Sequence, residues 1–187
     1  WSAKSTNNFD MKAFNSGDYA RAIEEQHLAE VISNVLYPED NHTEGKELRL
    51  QQQYFLVSAT LQWILKEFED RYGANWRMLP EKAVIHINDT HPTLAIPEMM
   101  RLLLDEKGLG WDEAWEITTK VFAYTNHTVM SEALEKWSLD LFKSVLPRIA
   151  MIVDEINRRL MEYLNMVYPN DPAKHHYMAV ISDNTVY

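Results

Sequence analysis

The chain has 187 residues, of which 46% are hydrophobic, so it can build one domain-sized core and is not a disordered tail. Its formal net charge of −10 argues against nucleic acid or an anionic membrane surface as a partner, because both would repel it. The absence of cysteine excludes disulfides, cysteine-based zinc sites and a thiol nucleophile. There is no run of about 18 apolar residues, so we expect no membrane span.

The first half of the chain is predicted to be mainly helical. Residues 1–18 are polar and are predicted to form a loop, which a helix over 19–36 follows. Turn-forming residues over 38–45 break the pattern. A long helix over 46–72 is then predicted, because apolar residues recur there at three- and four-residue spacing.

The second half alternates strands with helices. Short apolar, β-branched runs predict strands over 83–87 and 120–124, and the helices predicted between them cover 93–107 and 111–119. A strand–helix–strand order favours parallel pairing. Further helices are predicted over 131–137, 139–145 and 148–167, and a strand begins near 178–181. The sequence therefore predicts a helix-rich α/β fold with a few parallel strands.

Polar side chains follow both predicted parallel strands. Asp89 and His91 come after the first strand, and Asn126, His127 and Thr128 come after the second. Ligands of open α/β sheets bind outside the carboxyl ends of parallel strands, so these groups are expected to face one crevice. Their mix of donors and acceptors suits a ligand rich in hydroxyl groups, and a carboxylate such as Asp89 can fix the tautomer of a histidine.

Other interpretations of the same residues remain open. The polar runs can be only helix caps and turns, which would leave a non-catalytic helical interaction module. Asp89, His91 and His127 can also be the ligands of a metal-dependent hydrolase, although they lack compact ligand spacing. The pair His175 and His176 has no third ligand nearby in the sequence, and a solvated loop is predicted for it.

The segment 40–45 joins two predicted helices and has two interpretations. It is either a plain connector or a mobile gate that carries amide and carboxylate groups to a ligand.

Several motifs, in order along nearly the whole chain, resemble the glycogen phosphorylase family. The matching stretches are 35–41, 44–55, 88–98, 123–129, 132–137 and 146–148. The resemblance implies an enzyme that cleaves α-1,4-glucan with inorganic phosphate and releases glucose 1-phosphate. It also implies two Rossmann-like domains of the glycosyltransferase-B type, with the active site between them.

The resemblance further implies that this chain is a single internal part of such an enzyme, the later half of its N-terminal domain. Residues 1–45 would hold a dimer-interface helix and a gate loop, and residues 46–187 would hold a long helix, a βαβ segment and C-terminal helices. The lysine that carries the pyridoxal phosphate cofactor would lie outside the chain. We therefore expect no catalytic residue, cofactor or metal in this chain, and no activity from it alone.

Site roles are carried over from the family position by position. His127 is expected to contact the primary hydroxyl of the transferred glucosyl unit, and Asp89 is expected to support His127. His91 and Thr128 are expected to line the sugar channel.

The remaining carried-over roles concern the first 49 residues. Asp40 and Asn41 would lie on the gate loop, with Asn41 reaching a sugar hydroxyl, and Arg49 would help to position that loop. The helix over 19–36 would pack against a second subunit, so the parent enzyme is expected to be a cytoplasmic homodimer.

Overall fold

The computed structural model describes residues 1–6, 9–131 and 134–187. The chain forms two compact units, Trp1–Ala59 and Thr60–Tyr187. No helix within the described ranges is long and apolar enough to cross a membrane.

The first unit contains three short helices, α1 (Met11–Asn15), α2 (Tyr19–Ala22) and α3 (Glu24–Asn34), and the start of α4 (Thr43–Tyr72). The prediction of a loop over 1–18 is wrong where α1 lies. This helix forms because the Asp10 carboxylate accepts hydrogen bonds from the backbone N–H groups of Lys12 and Ala13.

A single helix over 19–36 is also not what the structure contains. The chain leaves helical geometry at Ile23, where φ is −120° and ψ is 4°, and this residue separates α2 from α3. Helix α3 ends before Val35, whose backbone is extended. No residue of α3 is buried, and Leu28 and Val31 are 64% and 46% exposed. The helix therefore presents apolar side chains to solvent.

The second unit has a parallel pair of strands at the position that the sequence predicts. Strand β1 (Ile85–Asn88) pairs with β2 (Phe122–Thr125), and the register sets Ile85 opposite Phe122 and Asn88 opposite Thr125. The connection between them contains α6 (Ala95–Arg101), a π-helical turn (Leu102–Glu106) and α7 (Trp111–Val121). The βαβ arrangement and the helix-rich α/β fold are thus confirmed.

Short elements precede and follow this βαβ segment. A 3₁₀ turn (Trp76–Met78) and α5 (Leu79–Lys82) lead into β1. After β2 the elements are β3 (Trp137–Ser138), α8 (Leu139–Val145), α9 (Pro147–Val167), α10 (Pro172–Met178), β4 (Ile181–Ser182) and β5 (Thr185–Val186).

The helix predicted over 131–137 is wrong where the structure describes it. Trp137 belongs to β3, which pairs antiparallel with β5, and β4 pairs with the same strand. Residues 132 and 133 of that prediction lie outside the described residues. Backbone pairing with a strand almost fifty residues later replaces the local helix.

The core of the second unit lies where α6 packs against α7 and α9. Met99 and Met100 of α6 are fully buried, as are Ile149 and Ile152 of α9, and Phe142 of α8 joins them. Fully burying a side chain of this size stabilises a fold by about 1.5–3 kcal/mol. This core therefore fixes the helices that frame β1 and β2.

Candidate functional site

The carboxyl ends of β1 and β2 form one rim, because parallel strands end on the same side of a sheet. Asn88 lies opposite Thr125 at this rim. The Asp89 backbone N–H donates to the Thr125 carbonyl at 2.9 Å, so pairing continues one residue beyond β1. The His86 ring lies 2.5 Å from the Thr125 hydroxyl and forms a second link between the strands.

His127 is held at this rim by two neighbouring residues. The Asp89 carboxylate accepts a hydrogen bond from the His127 backbone N–H at 2.6 Å. The Nε2 atom of the His127 ring lies 3.2 Å from the Asn88 side-chain oxygen. The expectation that Asp89 fixes the tautomer of the ring is therefore corrected: Asp89 holds the backbone, and Asn88 contacts the ring.

The loop after β2 is braced by its own polar side chains. The Asn126 amide donates to the Thr128 carbonyl at 2.7 Å and accepts from the Thr128 backbone N–H at 3.2 Å. The Thr128 hydroxyl accepts from the Met130 backbone N–H at 3.3 Å. These hydrogen bonds brace the loop on either side of His127.

His91 is separate from this hydrogen-bonded group. It lies in a turn after β1 in which the Thr93 backbone N–H and hydroxyl both donate to the Thr90 carbonyl, at 3.1 and 2.6 Å. The Thr90 hydroxyl accepts from the Glu135 backbone N–H at 3.0 Å. The His91 ring is exposed and makes no hydrogen bond to the part of the chain that the structure describes. The structure thus joins Asn88 and Asp89 to His127 but does not join His91 to them.

The rim carries uncharged polar groups and one carboxylate, all of which can form hydrogen bonds. Its imidazole, amide and hydroxyl groups can donate to or accept from a neutral polyol, and the Asp89 carboxylate can accept. Across residues 1–6, 9–131 and 134–187, no three or more His, Asp or Glu side chains are grouped so that they could hold a metal ion. The hydrolase interpretation therefore has no metal cluster to support it there.

Pyridoxal phosphate does not fit the rim. This cofactor is attached through a lysine amine. None of the side chains that meet at the rim is a lysine: they belong to His86, Asn88, Asp89, Thr125, Asn126, His127 and Thr128. The rim is suited to hydrogen bonding of a ligand and not to covalent attachment of the cofactor.

The predicted gate residues lie in the first unit. Asn41 donates to the Glu39 carboxylate at 2.7 Å, and both side chains are exposed. Arg49 Nε lies 4.0 Å from an Asp40 carboxylate oxygen, and its guanidinium lies 5.6 Å from the centre of the Tyr37 ring. These contacts link the loop to the first turns of α4.

Gly45 keeps this loop close to α4. A Cβ atom at Gly45 would lie 1.8 Å from the Glu39 carbonyl oxygen, so only glycine fits. The Gly45 backbone N–H donates to His42 Nδ1 at 3.0 Å. The loop is therefore packed against the helix backbone.

The pair His175 and His176 lies in helix α10, not in the predicted solvated loop. His175 Nε2 lies 2.9 Å from the Tyr168 carbonyl, and His176 Nδ1 lies 2.9 Å from the Ser182 hydroxyl. Both rings have structural partners that hold α10 against its neighbours.

Comparison with known proteins gives a consistent result over the whole chain. The family model described as carbohydrate phosphorylase matches residues 1–187. Glycogen phosphorylase 2 of Dictyostelium discoideum is 50% identical over 184 residues, which cover 98% of this chain and 18% of the relative. The muscle form of glycogen phosphorylase from Ovis aries is 47% identical over 193 residues, which cover 100% of this chain and 23% of the relative. The chain thus spans about a fifth of the length of these curated relatives.

Proposed function

Because this chain belongs to the carbohydrate phosphorylase family, we propose that it is part of an α-glucan phosphorylase. The whole enzyme would cleave α-1,4-glucan with inorganic phosphate and release glucose 1-phosphate. Both relatives named above are glycogen phosphorylases, which supports this activity. The chain would contribute the glucosyl-binding rim, and the rest of the enzyme would contribute the reacting groups.

The observation that carries the proposal is the anchoring of His127 at the rim. Its backbone N–H is held by Asp89 at 2.6 Å, and its ring lies 3.2 Å from Asn88. A ring fixed in this way can meet a sugar hydroxyl in one orientation without first losing conformational freedom. We assign His127 to the primary hydroxyl of the transferred glucosyl unit and Asp89 to its support. His91 and Thr128 would line the channel around that unit.

The rim would act by orientation and not by proton transfer. Hydrogen bonds to the hydroxyls of the sugar align its anomeric carbon for attack by phosphate. Exclusion of water from the site would allow phosphate to react in place of water. In this proposal no residue of the chain touches the reacting atoms.

The loop that contains Asp40 and Asn41 would be the gate of the site. Asn41 would reach a sugar hydroxyl when the loop closes, and Arg49 would hold the loop through its contact with Asp40. Closure of a loop over the bound substrate is a common way for enzymes to keep water from the reaction.

Cofactor and partner assignments belong to the same proposal. Pyridoxal phosphate would be carried by a lysine elsewhere in the enzyme, and its phosphate group would supply the proton exchanged with the substrate phosphate. The enzyme would be a cytoplasmic homodimer in which α3 packs against the second subunit. The exposed apolar side chains Leu28 and Val31 of α3 support this. Residues 1–45 would form the dimer helix and gate, and residues 46–187 the glucosyl-binding segment.

The test is His127→Ala in the full-length enzyme that contains this chain. The change removes a sugar hydrogen bond worth about 1.4 kcal/mol, so kcat/KM for glucose 1-phosphate should fall about tenfold. His176→Ala, on α10, is the matched control and should leave kcat/KM unchanged. An enzyme that keeps full kcat/KM after His127→Ala would refute the assignment.

A further inference from the structure

Asn88, the last residue of β1, enters the function proposed above only as a neighbour of the His127 ring. Its side-chain oxygen lies 3.2 Å from Nε2 of His127, and both side chains are exposed to solvent. Asn88 is therefore the residue that contacts the ring, while Asp89 contacts only the backbone of the same histidine.

The contact has a chemical consequence for the ring. A neutral imidazole carries one N–H, and the nitrogen that bears it is set by the hydrogen bond that the ring makes. An amide oxygen can only accept, so it selects the tautomer with the hydrogen on Nε2. No hydrogen bond to His127 Nδ1 comes from residues 1–6, 9–131 or 134–187. Nδ1 is then an acceptor that a ligand can use.

We propose that Asn88 is a positioning residue that holds His127 in the Nε2–H tautomer and so presents Nδ1 as the acceptor for a sugar hydroxyl. The sugar in this statement rests on the function proposed above, whereas the tautomer does not. The ligand donates its hydroxyl hydrogen to Nδ1, and Asn88 never touches the ligand. The two anchors act separately, because Asp89 fixes the position of the backbone and Asn88 fixes the orientation of the ring.

The tautomer is measured on the ¹⁵N-labelled chain by long-range ¹H–¹⁵N correlation of the His127 ring at alkaline pH, where imidazoles are neutral. We expect a protonated Nε2 and a bare Nδ1. Asn88→Leu should move both ring ¹⁵N shifts to those of histidine in a short unstructured peptide. Asn88→Asp keeps an acceptor oxygen without the amide donor, so it should preserve the ¹⁵N signature of the unmutated chain, a protonated Nε2 with a bare Nδ1.

Asn75→Leu is the matched control, since Asn75 is an exposed asparagine whose side chain caps no helix. It should leave the His127 ¹⁵N shifts unchanged. Circular dichroism should show that each variant is folded like the unmutated chain. Three results would overturn the proposal: an Nδ1–H tautomer in the parent, unchanged shifts in Asn88→Leu, or loss of the signature in Asn88→Asp. The first and third would mean that the amide donates to the ring.

Kinetics separate this inference from the function on which it rests. In the full-length enzyme, Asn88→Leu should lower kcat/KM for glucose 1-phosphate about fivefold, and Asn75→Leu should not change it. If His127→Ala lowers kcat/KM and Asn88→Leu does not, the positioning role is overturned while the sugar site stands. If the NMR signature is found but His127→Ala has no kinetic effect, the proposed function fails and the tautomer assignment stands.

Discussion

Gly45→Ala should destabilise the first unit, although the same change inside most helices is stabilising. Gly45 is the third residue of α4, and replacing a helical glycine by alanine ordinarily gains about 0.5–1 kcal/mol. Here the new Cβ would lie 1.8 Å from the Glu39 carbonyl oxygen and 2.9 Å from its carbon. Backbone atoms cannot rotate away as a flexible side chain can, so the loop itself must move by at least about 1 Å.

The magnitude follows from what that movement breaks. Forcing extra volume into a packed contact costs about 1–3 kcal/mol. Loss of the hydrogen bond from Gly45 N–H to His42 Nδ1 adds about 1 kcal/mol. After the gain in helix propensity is subtracted, the free energy of unfolding should fall by about 1–3 kcal/mol.

Urea unfolding measures the loss, and hydrogen exchange of the peptide over 38–50 locates it. Gly110→Ala is the control, because Gly110 has φ −72° and open space around a Cβ atom. It should change the free energy of unfolding by less than about 1 kcal/mol and leave exchange in 38–50 unaltered. A Gly45→Ala chain that is as stable as the parent, with unchanged exchange in that peptide, would show that the loop is not packed against Gly45.

Two ion pairs of the second unit give further predictions. Arg101→Leu removes two hydrogen bonds of 2.7 and 2.9 Å to the fully buried Glu98. The free energy of unfolding, measured in urea, should therefore fall by about 3 kcal/mol. The control Arg158→Leu removes an exposed arginine and should lower it by at most about 1 kcal/mol. The Arg148 guanidinium, bonded to both oxygens of Asp105, holds the pKa of that carboxyl below its ordinary value. The contribution of this ion pair to the free energy of unfolding is therefore fully present above the ordinary aspartate pKa of about 3.9. It is lost as pH falls through the lowered pKa of Asp105. Because Asp105 is about a third exposed, Arg148→Met should lower the free energy of unfolding, measured in urea, by only about 0.5–1 kcal/mol near pH 7. A larger loss near pH 2 than near pH 7 would contradict this assignment.

The parallel strand pair was predictable because its signals are local. Each strand is a short β-branched or aromatic run, and helices lie between the two. Both strands end later than the apolar runs do, at Asn88 and Thr125, because ladder pairing uses backbone groups and tolerates a polar side chain at the rim. The expectation that polar residues after both strands come together followed from the same pairing.

The small antiparallel sheet was predictable only in part: a strand was expected to begin near 178–181, and β4 begins at Ile181, but its partners were not predicted. Trp137 pairs with Val186, and Ser138 pairs with Thr185. Each strand has only two residues, which is too short for an alternating pattern to be visible. The apolar spacing near Trp137 instead resembled a helix. The break at Ile23 is a second case, because apolar periodicity continues through a residue whose backbone has left the helix.

The atomic arrangement around His127 depends on one backbone angle that composition does not encode. Successive side chains of a strand point to opposite faces, so Asn88 and Asp89 could not both contact one residue if β1 simply continued. Asp89 instead has φ +61°, a left-handed conformation that aspartate tolerates better than most residues, at a cost of about 1 kcal/mol or more. This change of direction brings the Asp89 carboxylate to the backbone of His127 while the Asn88 amide remains at its ring. The strained residue is thus the feature that turns two adjacent polar side chains into two separate anchors for one imidazole.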